Sequence, residues 1–129
     1  MSIELNHTIV WSSDRDATAT FLTEILGLPE APVYGPFRVV QVAGVSLDVG
    51  QATGEVHPQH YAFLVGDREF DEIFGRIRDQ GLTWWADPMR TRRGEINHHD
   101  GGRGVYWESP DRHILEIITV PYGGAAATT

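Results

Sequence analysis

The chain carries an approximate internal repeat, and this repeat narrows the folds that it can adopt. In each half a histidine in a strand-like stretch precedes an aspartate by seven residues: His7 precedes Asp14, and His60 precedes Asp67. A stretch with helical spacing of apolar residues follows each aspartate, and a Gly-Leu pair follows each helical stretch. A helix with one apolar stripe must cover one face of a sheet. We therefore expect two copies of one unit built from strands and a helix.

Periodicity predicts the same order of elements in both halves, namely a strand, a helix and a hairpin meander. Ser13 or Asp14 is expected to cap the first helix, and Asp67 the second. Gly27 and Gly81 are expected to end these helices. The predicted strands are residues 3–11, 37–42, 45–49, 60–65, 104–108 and 114–120. Prolines restrict two further short strands to edge positions, and these are residues 31–34 and 84–86.

These elements predict an α+β fold in which two modules, residues 3–51 and 58–120, form one domain that spans residues 1–122. A chain of 129 residues is long enough to bury a stable core as a single domain. The last residues, 123–129, have the composition of a loose tail. Because each helix covers one sheet face, the opposite face is left to form a cavity.

Composition removes several classes of function. The chain has no cysteine, which excludes disulfides, thiolate metal sites and cysteine nucleophiles. All ten cationic residues are arginines, which excludes a Schiff-base lysine. The formal net charge of −8 disfavours nucleic acids and anionic membranes as partners. No stretch has the pattern of a signal peptide or a membrane-spanning helix, so we expect a cytoplasmic protein that acts on a small molecule.

Four polar side chains fall on strand faces that are turned away from the helices, as judged from the alternation of side chains along a strand. Asp48 and His60 each alternate with apolar residues that face a helix. Glu116 shares its face with two isoleucines, where its charge needs a partner. His7 takes the same face by analogy with His60. The repeat therefore makes His7 equivalent to His60, and Asp48 equivalent to Glu116.

Two imidazoles and two carboxylates, with no sulfur available, suit a divalent ion such as Fe²⁺, Ni²⁺, Zn²⁺ or Mn²⁺. The simpler alternative is that each histidine is a hydrogen-bonded core residue and that each carboxylate pairs with an arginine. Recurrence of the set in both halves favours one divalent metal ion, with His7, Asp48, His60 and Glu116 as its ligands. Because aspartate is shorter than glutamate by one methylene group, Asp48 reaches the ion either directly or through water.

The sequence resembles the vicinal oxygen chelate superfamily, which includes glyoxalase I, extradiol dioxygenases, fosfomycin-resistance thiol transferases and bleomycin-resistance proteins. The likeness covers about residues 3–122, and its carriers are residues 7–14, 59–63 and 104–116. It implies paired βαβββ modules whose curved mixed sheet encloses a metal on the concave face, and a homodimer. It also implies that His7, His60 and Glu116 are ligands and that Asp48 occupies a more variable fourth position.

The resemblance implies a metal-dependent lyase, isomerase or dioxygenase that chelates two neighbouring oxygens of a small substrate and stabilises an enolate or alkoxide. With four ligands, Glu116 or Asp48 leaves the ion and moves a proton. With three, two histidines and one carboxylate leave open positions on the ion. Tyr106 is expected either to orient a substrate oxygen or to serve as a core aromatic residue. The alternative function is a non-catalytic drug- or metabolite-binding protein of the bleomycin-resistance type.

Three features stand beside this set. His98 and His99 lie in a glycine-rich loop, which is either a lid, a second metal site or a plain solvated loop. Arg103 is expected to be solvated, with contact to a carboxylate-bearing substrate as the alternative. Arg112 stands where the superfamily commonly has a glycine, so that it either accepts a left-handed conformation or changes the shape of the turn.

Overall fold

Seven strands and two α-helices form over residues 2–124, which are the residues that the computed structural model describes. The first half contains β1 (His7–Ser12), α1 (Arg15–Leu26), β2 (Val33–Tyr34), β3 (Phe37–Val42) and β4 (Val45–Gln51). The second half contains β5 (His60–Leu64), α2 (Asp67–Asp79), β6 (Gly104–Glu108) and β7 (Ile114–Ile118), with a 3₁₀ turn at His99–Gly101. These elements belong to two compact units, Met1–His57 and Pro58–Thr129. Residues 125–129 of the predicted tail lie outside the described residues.

The first unit holds a four-stranded mixed sheet in the order β1-β4-β3-β2. β1 runs parallel to β4, and β3 is antiparallel to β4 and to β2. The parallel register places His7 opposite Ser46 and Ile9 opposite Asp48. α1 packs on β1, β3 and β4 and buries Leu22 there. One face of this sheet is therefore covered by the helix, as the apolar stripe predicts.

The second unit repeats this arrangement with three strands in the order β5-β7-β6. β5 runs parallel to β7, with His60 opposite Ile114 and Ala62 opposite Glu116, and β6 is antiparallel to β7. In both units the residue paired with the carboxylate lies two positions after the histidine: Ala62 pairs with Glu116, and Ile9 pairs with Asp48. The predicted α+β class and the duplicated order of elements are confirmed.

The two helices begin differently, although the repeat predicts equivalent caps. The Asp14 carboxylate accepts a hydrogen bond from the Ala17 N–H at 3.1 Å, which satisfies one of the free donors of the first turn and confirms this cap. The predicted cap at Asp67 is wrong, because α2 begins at Asp67 itself and Gly66 occupies the cap position. The Asp67 carboxylate pairs with Arg103 at 3.2 Å instead.

The two helices end alike, as the Gly-Leu pairs predict. Gly27 and Gly81 both adopt left-handed backbone conformations, with φ of 71° and 69°. The N–H groups of Leu28 and Leu82 then donate to the carbonyls of the residues five positions earlier, at 2.9 and 3.1 Å. Neither helix in the described part of the chain is long and apolar enough to cross a membrane.

Arg103 joins the start of β6 to α2 at the protein surface, where its side chain is 27% exposed. Its guanidinium lies 4.3 Å from the centre of the Phe70 ring and pairs with Asp71 at 2.7 Å as well as with Asp67. Phe70 is fully buried, and the arginine thus covers the edge of the core while keeping its charge paired. The buried apolar side chains of this unit also include Ile73, Ile77, Val105, Trp107, Leu115 and Ile117.

Several predicted strand limits are wrong, because the observed strands end where backbone pairing with the neighbouring strand ends. β1 begins at His7 and not at residue 3, because its partner β4 begins at Val45 and the last hydrogen bond beyond the strand joins Ser46 N–H to the Asn6 carbonyl at 3.0 Å. Residues 84–86 do not form a strand, since only Trp85 makes bridges. β5 and β7 are shorter than predicted, whereas β4 extends to residue 51.

The contrast between the two helix starts gives a stability prediction. Asp14→Ala removes the acceptor for the Ala17 N–H and is expected to lower the free energy of unfolding by about 1 kcal/mol. Asp67→Ala removes only exposed ion pairing to Arg103 and is expected to cost about half as much or less. Urea unfolding followed by circular dichroism measures both. An equal loss in the two variants contradicts the assignment of the cap to Asp14 alone.

Candidate functional site

The first unit exposes the sheet face that the alternation of side chains predicts. Along β1, His7 and Ile9 are exposed while Val10 is buried, and along β4, Asp48 is half-buried between two buried residues. Strand partners share a face, so His7, Ser46 and Asp48 stand on the face opposite α1. The expected placement of His7 and Asp48 on one face is confirmed.

Asp48 and His7 do not bond to each other in the described first unit. The Ser46 hydroxyl donates to Asp48 Oδ1 at 2.9 Å, and His7 Nδ1 lies 2.7 Å from the amide oxygen of Asn6. Asp48 pairs with Ile9 on β1, two positions beyond His7, which separates the two residues by roughly 6.6 Å along the strand direction. The short aspartate side chain therefore bonds within its own strand.

The equivalent pair in the second unit is in direct contact. His60 Nε2 lies 2.9 Å from Glu116 Oε1, although Glu116 pairs with Ala62, two positions beyond His60. The additional methylene group of glutamate spans the offset that Asp48 does not span. A carboxylate only accepts hydrogen bonds, so the imidazole N–H of His60 is the donor. The second unit thus brings one nitrogen and one oxygen ligand together.

Glu116 is a buried carboxylate at the centre of this pair. The residue is 1% exposed, whereas the His60 side chain is 39% exposed. No arginine of the described second unit forms an ion pair with Glu116. The alternative that this carboxylate pairs with an arginine is therefore wrong. Its partners are His60 and the hydroxyls of Tyr106 and Tyr122.

Tyr106 faces Glu116 from the neighbouring strand β6. Its ring centre lies 5.9 Å from that of His60, and the hydroxyl hydrogen-bonds to Glu116. Burial, and then the hydrogen bond to Glu116 and the charge of Glu116, raise the pKa of the Tyr106 hydroxyl well above its usual value. Tyr106 therefore stays protonated around neutral pH, and its O–H serves as a donor beside the carboxylate.

Neither unit, over the described residues, brings three histidine, aspartate or glutamate side chains together as a complete metal site. The second unit supplies His60 and Glu116 as a pair, and the first unit supplies His7 and Asp48 on one face. The full ligand set therefore stays a prediction. The loop alternative of a second metal site at His98 and His99 lacks a third ligand among the described residues.

A buried histidine that the sequence analysis did not single out supports the start of β5. His113 Nδ1 accepts a hydrogen bond from the Gln59 N–H at 2.9 Å, and the ring packs edge-on against Tyr61. The Ser109 hydroxyl accepts from the His113 N–H at 3.0 Å and closes the turn before β7. In this turn Arg112 has φ of 68°, so it accepts the left-handed conformation.

Two aromatic side chains stand beside Gly50 on the exposed face of the first sheet. Trp11 and Phe37 are the strand partners of Gly50 on its two sides. A Cβ added to Gly50 would lie 2.8 Å from the Trp11 ring and 3.1 Å from the Phe37 ring, so the glycine lets both rings lean over the strand. Trp11 is 49% exposed. This face combines apolar rings with the polar group of Asp48, two residues before Gly50.

Comparison with known proteins finds relatives that are enzymes by name. The chain is 30% identical over 120 residues to the glutathione transferase FosA of Serratia marcescens, covering 88% of this chain and 78% of that protein. It is 65% identical to the solved structure of oxidase ChaP-H1, with a TM-score of 0.94 over 95% of this chain and 100% of that one. It is 58% identical to oxidase ChaP-H2, with a TM-score of 0.94 over 96% and 98% of the two chains. No family model matches the sequence.

The buried histidine gives the prediction of this section. His113→Ala leaves the Gln59 N–H without its acceptor and opens a cavity, and is expected to cost about 2–4 kcal/mol of unfolding free energy. His113→Asn keeps an acceptor near Nδ1 and is expected to recover part of the loss. Urea unfolding measures both variants. If His113→Ala stays within 0.5 kcal/mol of wild type, roughly the size of a neutral surface change, the supporting role of His113 is wrong.

Proposed function

Because the chain belongs to the vicinal oxygen chelate superfamily, as its likeness to the FosA protein shows, we propose that it is a metal-dependent enzyme that oxidises a small substrate. The substrate carries two neighbouring oxygens, and dioxygen is the co-reactant. The name of the 65% identical relative, an oxidase, favours oxidation over the lyase and isomerase reactions. The single observation that carries the metal site is the contact of His60 with Glu116.

The geometry of this contact fits a divalent ion. Two ligands at about 2.1 Å from one ion stand about 3.0 Å apart at right angles and about 3.4 Å apart at the tetrahedral angle. His60 Nε2 and Glu116 Oε1 lie 2.9 Å apart on neighbouring strands. A buried carboxylate without an arginine is also a group that a cation stabilises. The second unit therefore supports two of the proposed ligands.

We assign His7 as the third ligand, through its equivalence to His60 in the repeat. Asp48 is proposed to reach the ion through water, since the Ser46 hydroxyl already binds its carboxylate and its side chain is the shorter one. Two histidines and one carboxylate are the arrangement that leaves positions for substrate and dioxygen. The resemblance implies a homodimer, and the proposal holds whether His7 comes from the same chain or from a second copy.

The proposed roles of the remaining residues follow from their protonation. When bound, the divalent ion supplies Lewis-acid polarisation of the substrate oxygens. The protonated Tyr106 hydroxyl donates its one proton to Glu116, and its oxygen is proposed to accept a hydrogen bond from a substrate hydroxyl and so to orient it. Asp48 is the carboxylate that takes up the proton of a substrate hydroxyl, while Glu116 holds the ion. The exposed ring of Trp11 and the half-buried ring of Phe37 offer apolar contact to the body of the substrate.

Metal content tests the site. Wild-type protein is expected to carry about one divalent ion per site, and His60→Ala to lose most of it while staying folded, because His60 is partly exposed. His57→Ala, which removes an exposed histidine of the loop between β4 and β5, is the matched control and is expected to keep the ion. Elemental mass spectrometry and circular dichroism give the readouts. Equally low metal in all three proteins contradicts the enzyme and favours the non-catalytic binding protein.

Oxygen uptake tests the reaction. Protein loaded with Fe²⁺, Ni²⁺, Zn²⁺ or Mn²⁺ is assayed in an oxygen electrode with catechols as substrates. The rate of oxygen uptake is expected to fall at least tenfold in Glu116→Gln, because this variant lacks the proposed carboxylate ligand. Catalase returns oxygen if two hydrogens leave the substrate and dioxygen becomes hydrogen peroxide. It returns none if both oxygen atoms enter the product. Conversion of α-keto aldehydes or epoxides without oxygen uptake contradicts the oxidation.

A further inference from the structure

The chain beyond β7 turns back toward the buried carboxylate at Tyr122, the last residue of the predicted domain and the one before the predicted tail. The Gly124 N–H donates to the Pro121 carbonyl at 2.9 Å and closes a turn. The Gly123 N–H donates to a carboxylate oxygen of Asp100 at 3.3 Å. Within this turn, the Tyr122 hydroxyl donates to Glu116 Oε1 at 3.3 Å. The described part of the tail is thus attached to the body of the second unit at defined atoms.

The same oxygen of Glu116 meets both Tyr122 and His60. Glu116 Oε1 lies 2.9 Å from His60 Nε2 and 3.3 Å from the Tyr122 hydroxyl, and the Tyr106 hydroxyl donates its one proton to Glu116. Tyr106 comes from the neighbouring strand and Tyr122 from the turn. The carboxylate is therefore held between two phenol donors from separate segments of the chain.

We propose that Tyr122 is a positioning residue that holds the Glu116 carboxylate in the orientation needed for metal binding, an inference that rests on the proposed function of this site. The torsion that rotates a glutamate carboxylate has a broad energy profile, so bonding partners decide its orientation. Hydroxyl donors from outside the ligand set typically change metal affinity by 10–100-fold. Tyr122 is 63% exposed, so its hydroxyl contributes little to the core.

Asp100 supports this turn from a distance. It has φ of 55°, a left-handed conformation that is uncommon for a residue with a side chain, and its carboxylate accepts from the Gly123 N–H. Asparagine tolerates the same backbone conformation and keeps an acceptor oxygen. Replacing Asp100 by alanine therefore loosens the turn, and replacing it by asparagine retains the turn. Neither substitution changes a group in contact with Glu116.

The experiment measures Zn²⁺ affinity by competition with a fluorescent chelator and the visible spectrum of the Co²⁺-loaded protein. Tyr122→Phe is expected to bind Zn²⁺ 10–100-fold more weakly and to shift the Co²⁺ bands, while the melting temperature of the metal-free protein is unchanged. Tyr34→Phe, which alters an exposed tyrosine of β2, is the matched control and is expected to behave as wild type. Asp100→Ala is expected to lower the affinity less than Tyr122→Phe, and Asp100→Asn to restore it.

The outcomes separate this inference from the proposed function. If wild type binds Zn²⁺ and Tyr122→Phe binds it within twofold of wild type, the positioning role is overturned and the metal site stands. If Tyr122→Phe lowers the melting temperature of the metal-free protein, the residue is structural and the inference is also overturned. If wild type itself does not bind Zn²⁺, the proposed metal site and the inference are wrong together.

Discussion

A buried carboxylate beside an imidazole is the constraint on which this structure depends. Glu116 is 1% exposed and lies on a strand whose neighbouring residues are apolar, where an unpaired charge is costly. The protein places His60 Nε2 at 2.9 Å and two tyrosine hydroxyls around it and provides no arginine from the described second unit. The tyrosine donors carry no charge, so a cation would stabilise this buried carboxylate. This is why we connect the pair to a metal-dependent reaction.

The internal repeat explains how the two units come to offer comparable groups with different behaviour. The strand registers of the two parallel pairs are the same, so that His7 corresponds to His60 and Asp48 to Glu116. The two carboxylates differ in side-chain length by one methylene group, and only Asp48 has a serine hydroxyl as a partner. Glu116 therefore reaches His60, whereas Asp48 accepts a hydrogen bond from Ser46. Small local changes on a duplicated frame thus separate the proposed direct ligand from the proposed proton acceptor.

Side-chain alternation and the Gly-Leu pairs were sufficient to predict the order of elements, the exposed strand faces and both helix ends, because these depend on local geometry. The cap at Asp67 was predicted wrongly because Arg103, distant in sequence, pairs with that carboxylate. The contact of Tyr122 with Glu116 depends on a turn whose glycine-rich sequence carries no periodic signal. His113 was missed since its acceptor role requires Gln59, 54 residues away.

X-ray absorption spectroscopy on protein loaded with one divalent ion tests the central claim most directly, because it reports the atoms bonded to that ion. The account predicts a first shell of nitrogen and oxygen at about 2.0–2.2 Å with the multiple scattering of two imidazoles. A shell made only of oxygens, with no imidazole scattering, contradicts the proposed site.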